Sequence, residues 1–309
     1  MAQAVFLFTG QGSQFVGMGR ELVAGDAAAR ELFARADRAL GEPLTRLVQE
    51  GPEEELALTI HTQPAVLTLD LAIFQALDLE PAALAGHSLG EYAALVAAGS
   101  LEFEVALRLV RARAQAMQSA VPPGRGGMVV LRKATLEEAR RLAEEAEAGV
   151  LELANINCPG QYVLSGETAA LDQVVEKVGA RRALRLPVSV PFHSSLLAAA
   201  AKEFARRLEE VPFADPRVPL VCNVSAEPLT RADQVKEALA RQFDHSVLWE
   251  QSMVRLLREG HRLFVECGPK PTLVRMVQAV ARKEEVEGVS VHAPTTPGEI
   301  DGVRRALKG

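Results

Sequence analysis

Short unbroken apolar runs alternate along this chain with longer stretches in which apolar positions recur every three or four residues. AVFLFTG (Ala4–Gly10) is apolar until it stops at glycine, the pattern of a strand buried on both faces. The stretch from Gln14 to Arg38 has helical character, and TQPAVLTLDLAIFQAL predicts a long buried helix with Pro64 near its first turn, where a missing N–H costs little. ALAGHS then predicts a strand, and EYAALVAAG a helix stopped by Gly99. LEFEVALRLVRARAQAMQSA predicts a long amphipathic helix ended by VPPGRGG. Farther on, PLVCNV, RLFVECG and VSVHA each predict a central strand, with helices between them. Alternating strands and helices with apolar strands predict an α/β protein whose parallel sheet is covered on both faces.

The middle of the chain has a different rhythm. From Gly126 onward, GMVVLR, TLEEARRLAEEAE, VLELANIN, QYVLSGE, TAALDQVVEKV and ARRALRLPV predict the order β-α-β-β-α-β, a ferredoxin-like arrangement. VPPGRGG leads into it and VPFH leads out. This predicts an inserted small subdomain at 124–191 and a large catalytic domain assembled from 1–123 and 192–309.

Composition narrows the field. With 309 residues, 48% hydrophobic and 24% charged, the chain can bury a sizeable core. Its net charge of −6 comes with basic residues scattered among acidic ones, so the footprint of a nucleic-acid binder is missing. Cys158, Cys222 and Cys267 are widely spaced and form no CxxC, which predicts reduced buried thiols rather than disulfides or zinc. MAQAVFLFTGQGSQ has no positive n-region, and no apolar run approaches the roughly 20 residues needed to span a bilayer. We expect a cytoplasmic protein without a membrane partner.

GHSLG, at residues 86–90, matches G-x-S-x-G, with a predicted strand before it and a predicted helix after it. That context makes Ser88 a candidate nucleophile at a sharp turn, with Gly86 and Gly90 allowing close backbone approach. The helix that follows turns its N-terminal N–H groups toward the serine oxygen. Without that context, the motif would be an ordinary glycine-flanked turn.

A serine nucleophile needs a base, and the chain has six histidines. The side chain of His87 diverges from that of Ser88, while His61, His245 and His261 lie beside predicted elements with no evident cleft. His193, in VPFHSS, stands where the chain leaves the small subdomain, so placement ranks it first and His292 second. Asp78, Asp172, Asp215, Asp233 and Asp244 do not complete the order Ser…Asp…His convincingly. A dyad is therefore expected, with the imidazole N–H held by a carbonyl or an amide.

GQGSQ follows the first strand but has Phe15 where G-x-G-x-x-G needs its third glycine, and it lacks the P-loop lysine, so nucleotide binding is rejected. Such a loop beside an elbow can offer backbone N–H groups, and Gln11 and Leu89 are candidates for an oxyanion hole. Arg111 and Arg113 lie on the long helix among apolar positions. Either can be an exposed arginine on a solvated face, or a fork for a substrate carboxylate.

FTGQGSQ, TQPA, GHSLGEY, the segment Arg113–Gln118, NINCPGQYVLSG, PFHS and VECGP occur in the same order as in a known family. The chain resembles the malonyl-CoA:acyl carrier protein transacylases of type II fatty acid synthesis and the related acyltransferase domains of polyketide synthases. The resemblance implies an α/β-hydrolase-like large domain with a ferredoxin-like insert. It implies Ser88 as nucleophile, His193 as base, Arg113 as partner of the malonyl carboxylate and Gln11 and Leu89 as oxyanion donors. Gln63 would line the pocket, Asn157 would lie beside the site, and Phe192 resembles the malonyl-selecting pattern. The carbonyl that orients the histidine is placed just before the tryptophan of HSVLW, at Leu248 here.

The implied reaction is ping-pong transfer of malonyl from malonyl-CoA to the phosphopantetheine thiol of acyl carrier protein, for fatty acid biosynthesis. No metal or bound cofactor is expected, and the chain is expected to act as a monomer. A serine hydrolase on the same elbow and a non-catalytic carrier-binding module are the rivals. A discrete polyketide acyltransferase is the rival within the enzyme class.

Overall fold

Two separate sheets organise the chain in the computed structural model, which describes residues 4–308. Residues 1–3, where the reading of the N-terminus begins, and residue 309 lie outside the described residues. The strands are β1 (Ala4–Phe8), β2 (Pro81–Gly86), β3 (Gly126–Ala134), β4 (Leu151–Cys158), β5 (Gly160–Glu167), β6 (Ala183–Arg185), β7 (Leu220–Val221), β8 (Pro228–Leu229), β9 (Leu263–Cys267) and β10 (Ser290–His292). One sheet has the order β10-β9-β1-β2-β7-β8 and is parallel except for the β7–β8 pair. The other has the order β4-β5-β3-β6, with every pair antiparallel.

β1 shows why its sequence is apolar without alternation. Phe6 and Phe8 join a core cluster on one face together with the helix Thr59–Leu77, while Val5 and Leu7 join a second cluster with Trp249 and Met253 on the other. Since successive strand residues point to opposite faces, a strand covered on both sides must be apolar at every position. The antiparallel sheet has its own core around Val129, Leu164 and Leu171. A short backbone bridge ties it to the large sheet's side of the molecule: Ile156 N–H donates to Val247 C=O at 3.0 Å, and Val247 N–H donates to Ala154 C=O at 2.8 Å.

Several predicted boundaries move. Helix begins only at Arg20, because Gly17 and Gly19 hold positive φ and turn the chain after Gln14. It breaks again at Asp26, which adopts an extended conformation and caps a second helix, Ala27–Leu40, by accepting from Ala29 N–H. The buried helix starts at Thr59, so Pro64 lies inside it rather than in its first turn. Thr62 Oγ1 fixes that earlier start by donating to Leu56 C=O at 2.6 Å. Of ARRALRLPV, only Ala183–Arg185 is strand.

The elbow is packed tightly against the large sheet. His87 N–H donates to Phe8 C=O at 3.0 Å, so the chain turns directly against the end of β1. A Cβ on Gly86 would lie 2.0 Å from the backbone of Gly90, and one on Gly90 would lie 2.1 Å from Phe8 O. These atoms are main chain and cannot swing away. Gly86→Ala is expected to lower the unfolding free energy by about 3 kcal/mol, as overpacking of a closed core does. An unchanged midpoint in chemical denaturation would show that the turn has slack.

Candidate active site

Ser88 sits at φ 51 between β2 and the helix Gly90–Ala97, and His193 sits at φ 59 where the chain returns from the small sheet. Both are non-glycine residues in the left-handed region, a conformation found where surrounding structure over-determines the backbone. The two strained positions bring Ser88 Oγ to 2.7 Å from His193 Nε2, across 105 residues of sequence. His193 Nδ1 lies 2.8 Å from the carbonyl oxygen of Gln242, so Nδ1 carries the proton and Nε2 is free to accept one.

The orienting carbonyl therefore belongs to Gln242, not to Leu248. Leu248 instead turns its N–H to Asn223 C=O at 2.7 Å and opens the helix Trp249–Arg258. Gln242 ends the helix Ala232–Gln242, where a carbonyl with no partner in the next turn is available to the imidazole. The second-ranked His292 is on the edge strand β10 and meets Ser290 Oγ at 3.2 Å, away from the serine. Among the described residues, no aspartate meets His193.

Arg113 is 2% exposed on the helix Phe103–Ala120, and it closes the site. Its Nη2 donates to Ser88 Oγ at 3.0 Å and to Gln242 Oε1 at 3.0 Å, and its Nη1 donates to Gln63 Oε1 at 3.0 Å. Its guanidinium stands 5.5 Å from the ring centre of Tyr92, and its Nε has no hydrogen-bond partner among the described residues. Arg111, two residues earlier, is the structural arginine of the pair, bonded to Glu42 on the outer side.

Burial and this neighbouring cation together set the electrostatics. Desolvation, then the charge of Arg113, pull His193 down to about 3, so the imidazole is neutral at neutral pH. Burial also lowers Arg113, but a guanidinium remains charged. Of the two oxyanion candidates, Leu89 stands at the N-terminal boundary of the elbow helix and Gln11 belongs to the glycine loop after β1. Neither backbone N–H donates to an acceptor among the described residues, whereas the Gln11 side chain is anchored to Thr59 Oγ1 at 3.2 Å. Phe192 is buried just before His193. Asn157 Oδ1 meets His87 Nε2 at 2.8 Å, which joins the small sheet to the elbow, and the His87 ring packs against Trp249.

Three polar residues that motif reading did not single out complete the cluster. The side chain of Asn223 clamps the turn, accepting from Ser88 N–H at 2.7 Å and donating to Gly86 C=O at 2.6 Å. The Gln242 side chain donates to Ser88 C=O at 2.9 Å and to Glu91. Glu91 is fully buried beneath both. Its signal was the acid inside GHSLGEY, since a glutamate in an apolar helix needs a partner. Among the described residues, no group of three or more His, Cys, Asp or Glu could hold a metal ion, and no helix is long and apolar enough to cross a membrane.

Fold and site together define an α/β protein with a serine–histidine pair at a strand-to-helix elbow and a buried arginine on the serine oxygen. The chain belongs to the family described as acyl transferase domain, whose family model it matches over residues 5–306. It is 41% identical over 298 residues to the malonyl CoA-acyl carrier protein transacylase of Bacillus subtilis, covering 94% of each chain. It superposes on the malonyl CoA-acyl carrier protein transacylase of Coxiella burnetii with a TM-score of 0.94 and 37% identity, covering 100% of this chain and 99% of that one. A malonyl-transacylase solved in complex with a type II PKS acyl-carrier protein matches at a TM-score of 0.93 and 35% identity, covering 99% of this chain and 100% of that one.

The neutral imidazole has a thermodynamic consequence. Unfolded, His193 takes a proton below about pH 6.5; folded, it does so only near 3. Between those values the unfolded state binds more protons, so His193 makes stability fall as pH drops through this window, by about 1.4 kcal/mol per pH unit at most. Unfolding free energies of wild type and His193→Gln measured from about pH 7 down to about pH 4 are expected to converge as pH falls. A constant difference would mean that His193 is protonated in the native state as readily as in the unfolded one.

Proposed function

We propose that this chain transfers a malonyl group from malonyl-CoA to the phosphopantetheine thiol of an acyl carrier protein, in the service of fatty acid synthesis. The observation that carries this reading is the contact of the buried Arg113 guanidinium with Ser88 Oγ. A cation at the nucleophile suits an acyl group that brings its own carboxylate. The names of the relatives, malonyl CoA-acyl carrier protein transacylases over nearly the full chain, support the same substrate and acceptor.

His193 Nε2 takes the Ser88 proton as Oγ attacks the thioester carbonyl, and the N–H groups of Gln11 and Leu89 receive the oxyanion. When the tetrahedral intermediate collapses, the C–S bond breaks and the proton on His193 passes to the departing CoA thiolate. The malonyl-serine ester keeps its carboxylate on Arg113, with Gln63 holding the other side of the guanidinium. In the second half, His193 accepts the proton of the carrier thiol, the sulfur attacks the ester, and Ser88 recovers its proton. Electrons and protons balance without a redox or metal cofactor. Phe192 and Asn157 shape the approach to this pocket.

We read the fold as an α/β-hydrolase-like large domain, 1–123 and 192–309, carrying a ferredoxin-like subdomain, 124–191. The β-α-β-β-α-β order and the strand order β4-β5-β3-β6 support the second assignment. Three free, buried cysteines support a reducing, cytoplasmic setting.

Intact-mass measurement after mixing with malonyl-CoA is expected to show a malonyl adduct that Ser88→Ala lacks; an adduct of normal yield in that variant overturns the assignment. Acyl transfer is expected to outrun hydrolysis once holo acyl carrier protein is added, whereas a hydrolase would release malonate regardless. Arg113→Ala should lower malonyl loading while keeping acetyl loading, by the about 1.5–3 kcal/mol of a charge-assisted pair. An unchanged preference for malonyl over acetyl would remove Arg113 from the acyl pocket.

A further inference from the structure

Glu91 lies in the first turn of the elbow helix, fully buried; its backbone N–H donates to Ser88 C=O at 3.2 Å, while among the described residues its carboxylate is bonded to neither the serine nor the histidine. Each of its oxygens accepts from an N–H donor. Oε1 takes the backbone N–H of Asn223 at 3.1 Å, and Oε2 takes the side-chain amide of Gln242. Those two residues lead to the two halves of the reacting pair. Asn223 clamps the Ser88 N–H and the Gly86 C=O. Gln242 presents its carbonyl to His193 Nδ1, its amide nitrogen to Ser88 C=O and its amide oxygen to Arg113.

We propose that Glu91 is a positioning residue of the acyl transfer, whose ionised carboxylate holds Asn223 and Gln242 and, through them, Ser88, His193 and Arg113 in reacting register. The proposal rests on the assignment of Ser88 and His193 as nucleophile and base. The chemistry of the carboxyl group makes its charge necessary. An ionised carboxylate only accepts hydrogen bonds, whereas a neutral acid must donate from one oxygen. Both oxygens here face donors, so protonation costs one of the two anchors.

This charge turns over in an accessible range. Burial pushes Glu91 up to about 7, against the opposing pull of Asn223, Gln242 and Arg113. The other titratable groups around it are shifted by the same burial, each in its own direction. Tyr92, on its own helix, is pushed up by burial, and Cys222, beyond β7, is pushed up to about 11. Arg113, on the long helix, stays charged, and His193, behind Gln242, is held near 3. The packed strands β1 and β2 bring no titratable side chain. The packed helix Thr59–Leu77 brings Asp70, a buried acid also raised by desolvation but bonded to Thr9 N–H at 2.7 Å. Formation of the active arrangement thus follows Glu91 rather than the catalytic imidazole.

The test is the single-turnover rate of malonyl-serine formation from malonyl-CoA, followed by quenching and intact mass from about pH 5.5 to about pH 9. Wild type is expected to show an acid limb near neutrality. Glu91→Gln is expected to be slower at the alkaline end by about 10- to 100-fold, the cost of misplacing reacting groups, and to lose the limb, so that the two rates converge at low pH. Asp70→Asn is expected to keep the limb. A wild-type rate or an intact limb in Glu91→Gln, or loss of the limb in Asp70→Asn alone, overturns the proposal. Should Glu91→Gln fail to fold, the wild-type limb still decides. Carboxyl ionisation has almost no enthalpy and imidazole ionisation has a large one, so a midpoint that stays fixed with temperature supports Glu91 and one that moves overturns it. Absence of any adduct in wild type would instead sink the malonyl-transfer reading itself.

Discussion

A guanidinium buried against the elbow serine is the constraint around which this molecule is arranged. Arg113 is enclosed by the elbow helix and the helices Ala232–Gln242 and Thr59–Leu77, and among the described residues no carboxylate hydrogen-bonds it. Stripping such an ion of water is costly unless its donors are met. Here the two Nη groups are met by neutral oxygens, those of Gln63, Gln242 and Ser88, and the ring of Tyr92 faces the guanidinium, while Nε has no partner among the described residues. A direct carboxylate partner would satisfy the charge more fully and would also occupy the place a substrate carboxylate needs. Setting Glu91 one amide away keeps a compensating charge within reach while leaving the fork free.

The same arrangement explains why Ser88 and His193 both adopt left-handed backbone. Ser88 must point its oxygen away from a turn packed against β1, and His193 must reach it from a segment returning from the other sheet. The strain is held by hydrogen bonds to the strained residues themselves. Asn223 and Gln242 grip the main chain of Ser88 from two sides, while Gln242 fixes the ring of His193. The β1–β2 contact supplies the rigid base, since Gly86 and Gly90 leave no space for movement there.

Much of this was legible in the sequence because its signals are local. Apolar runs gave the strands, glycine spacing marked the elbow, and the β-α-β-β-α-β rhythm marked the second sheet. What escaped was set by tertiary contact. The glycines after Gln14 look neutral until their positive φ is seen, and the early start of the helix at Thr59 depends on a side-chain bond to Leu56. The carbonyl on His193 was expected at Leu248 beside the tryptophan, but it comes from Gln242 at a helix end six residues earlier in the chain. Any residue has a carbonyl, so sequence cannot say which one faces the ring. Asn223 and Glu91 stood inside segments already read as strand and helix, and only the fold shows that they meet.

A dyad without an acid is a weak base in isolation, and here a nearby cation weakens it further. In the proposed reaction this becomes a source of selectivity. A substrate carboxylate on the Arg113 fork offsets the part of the His193 shift that comes from that cation, burial supplying the larger part, so the imidazole becomes easier to protonate when the correct acyl group arrives. A neutral acyl group of the same reactivity leaves the cation uncompensated and meets the weaker base. Discrimination against it then falls on the chemical step as well as on binding, because the interaction lost is one that the transition state, with its proton on His193, needs more than the ground state does. An aspartate behind the histidine would remove this dependence by stabilising the imidazolium whatever was bound. The neutral carbonyl of Gln242 keeps the ring in place while leaving its basicity to be set by the substrate.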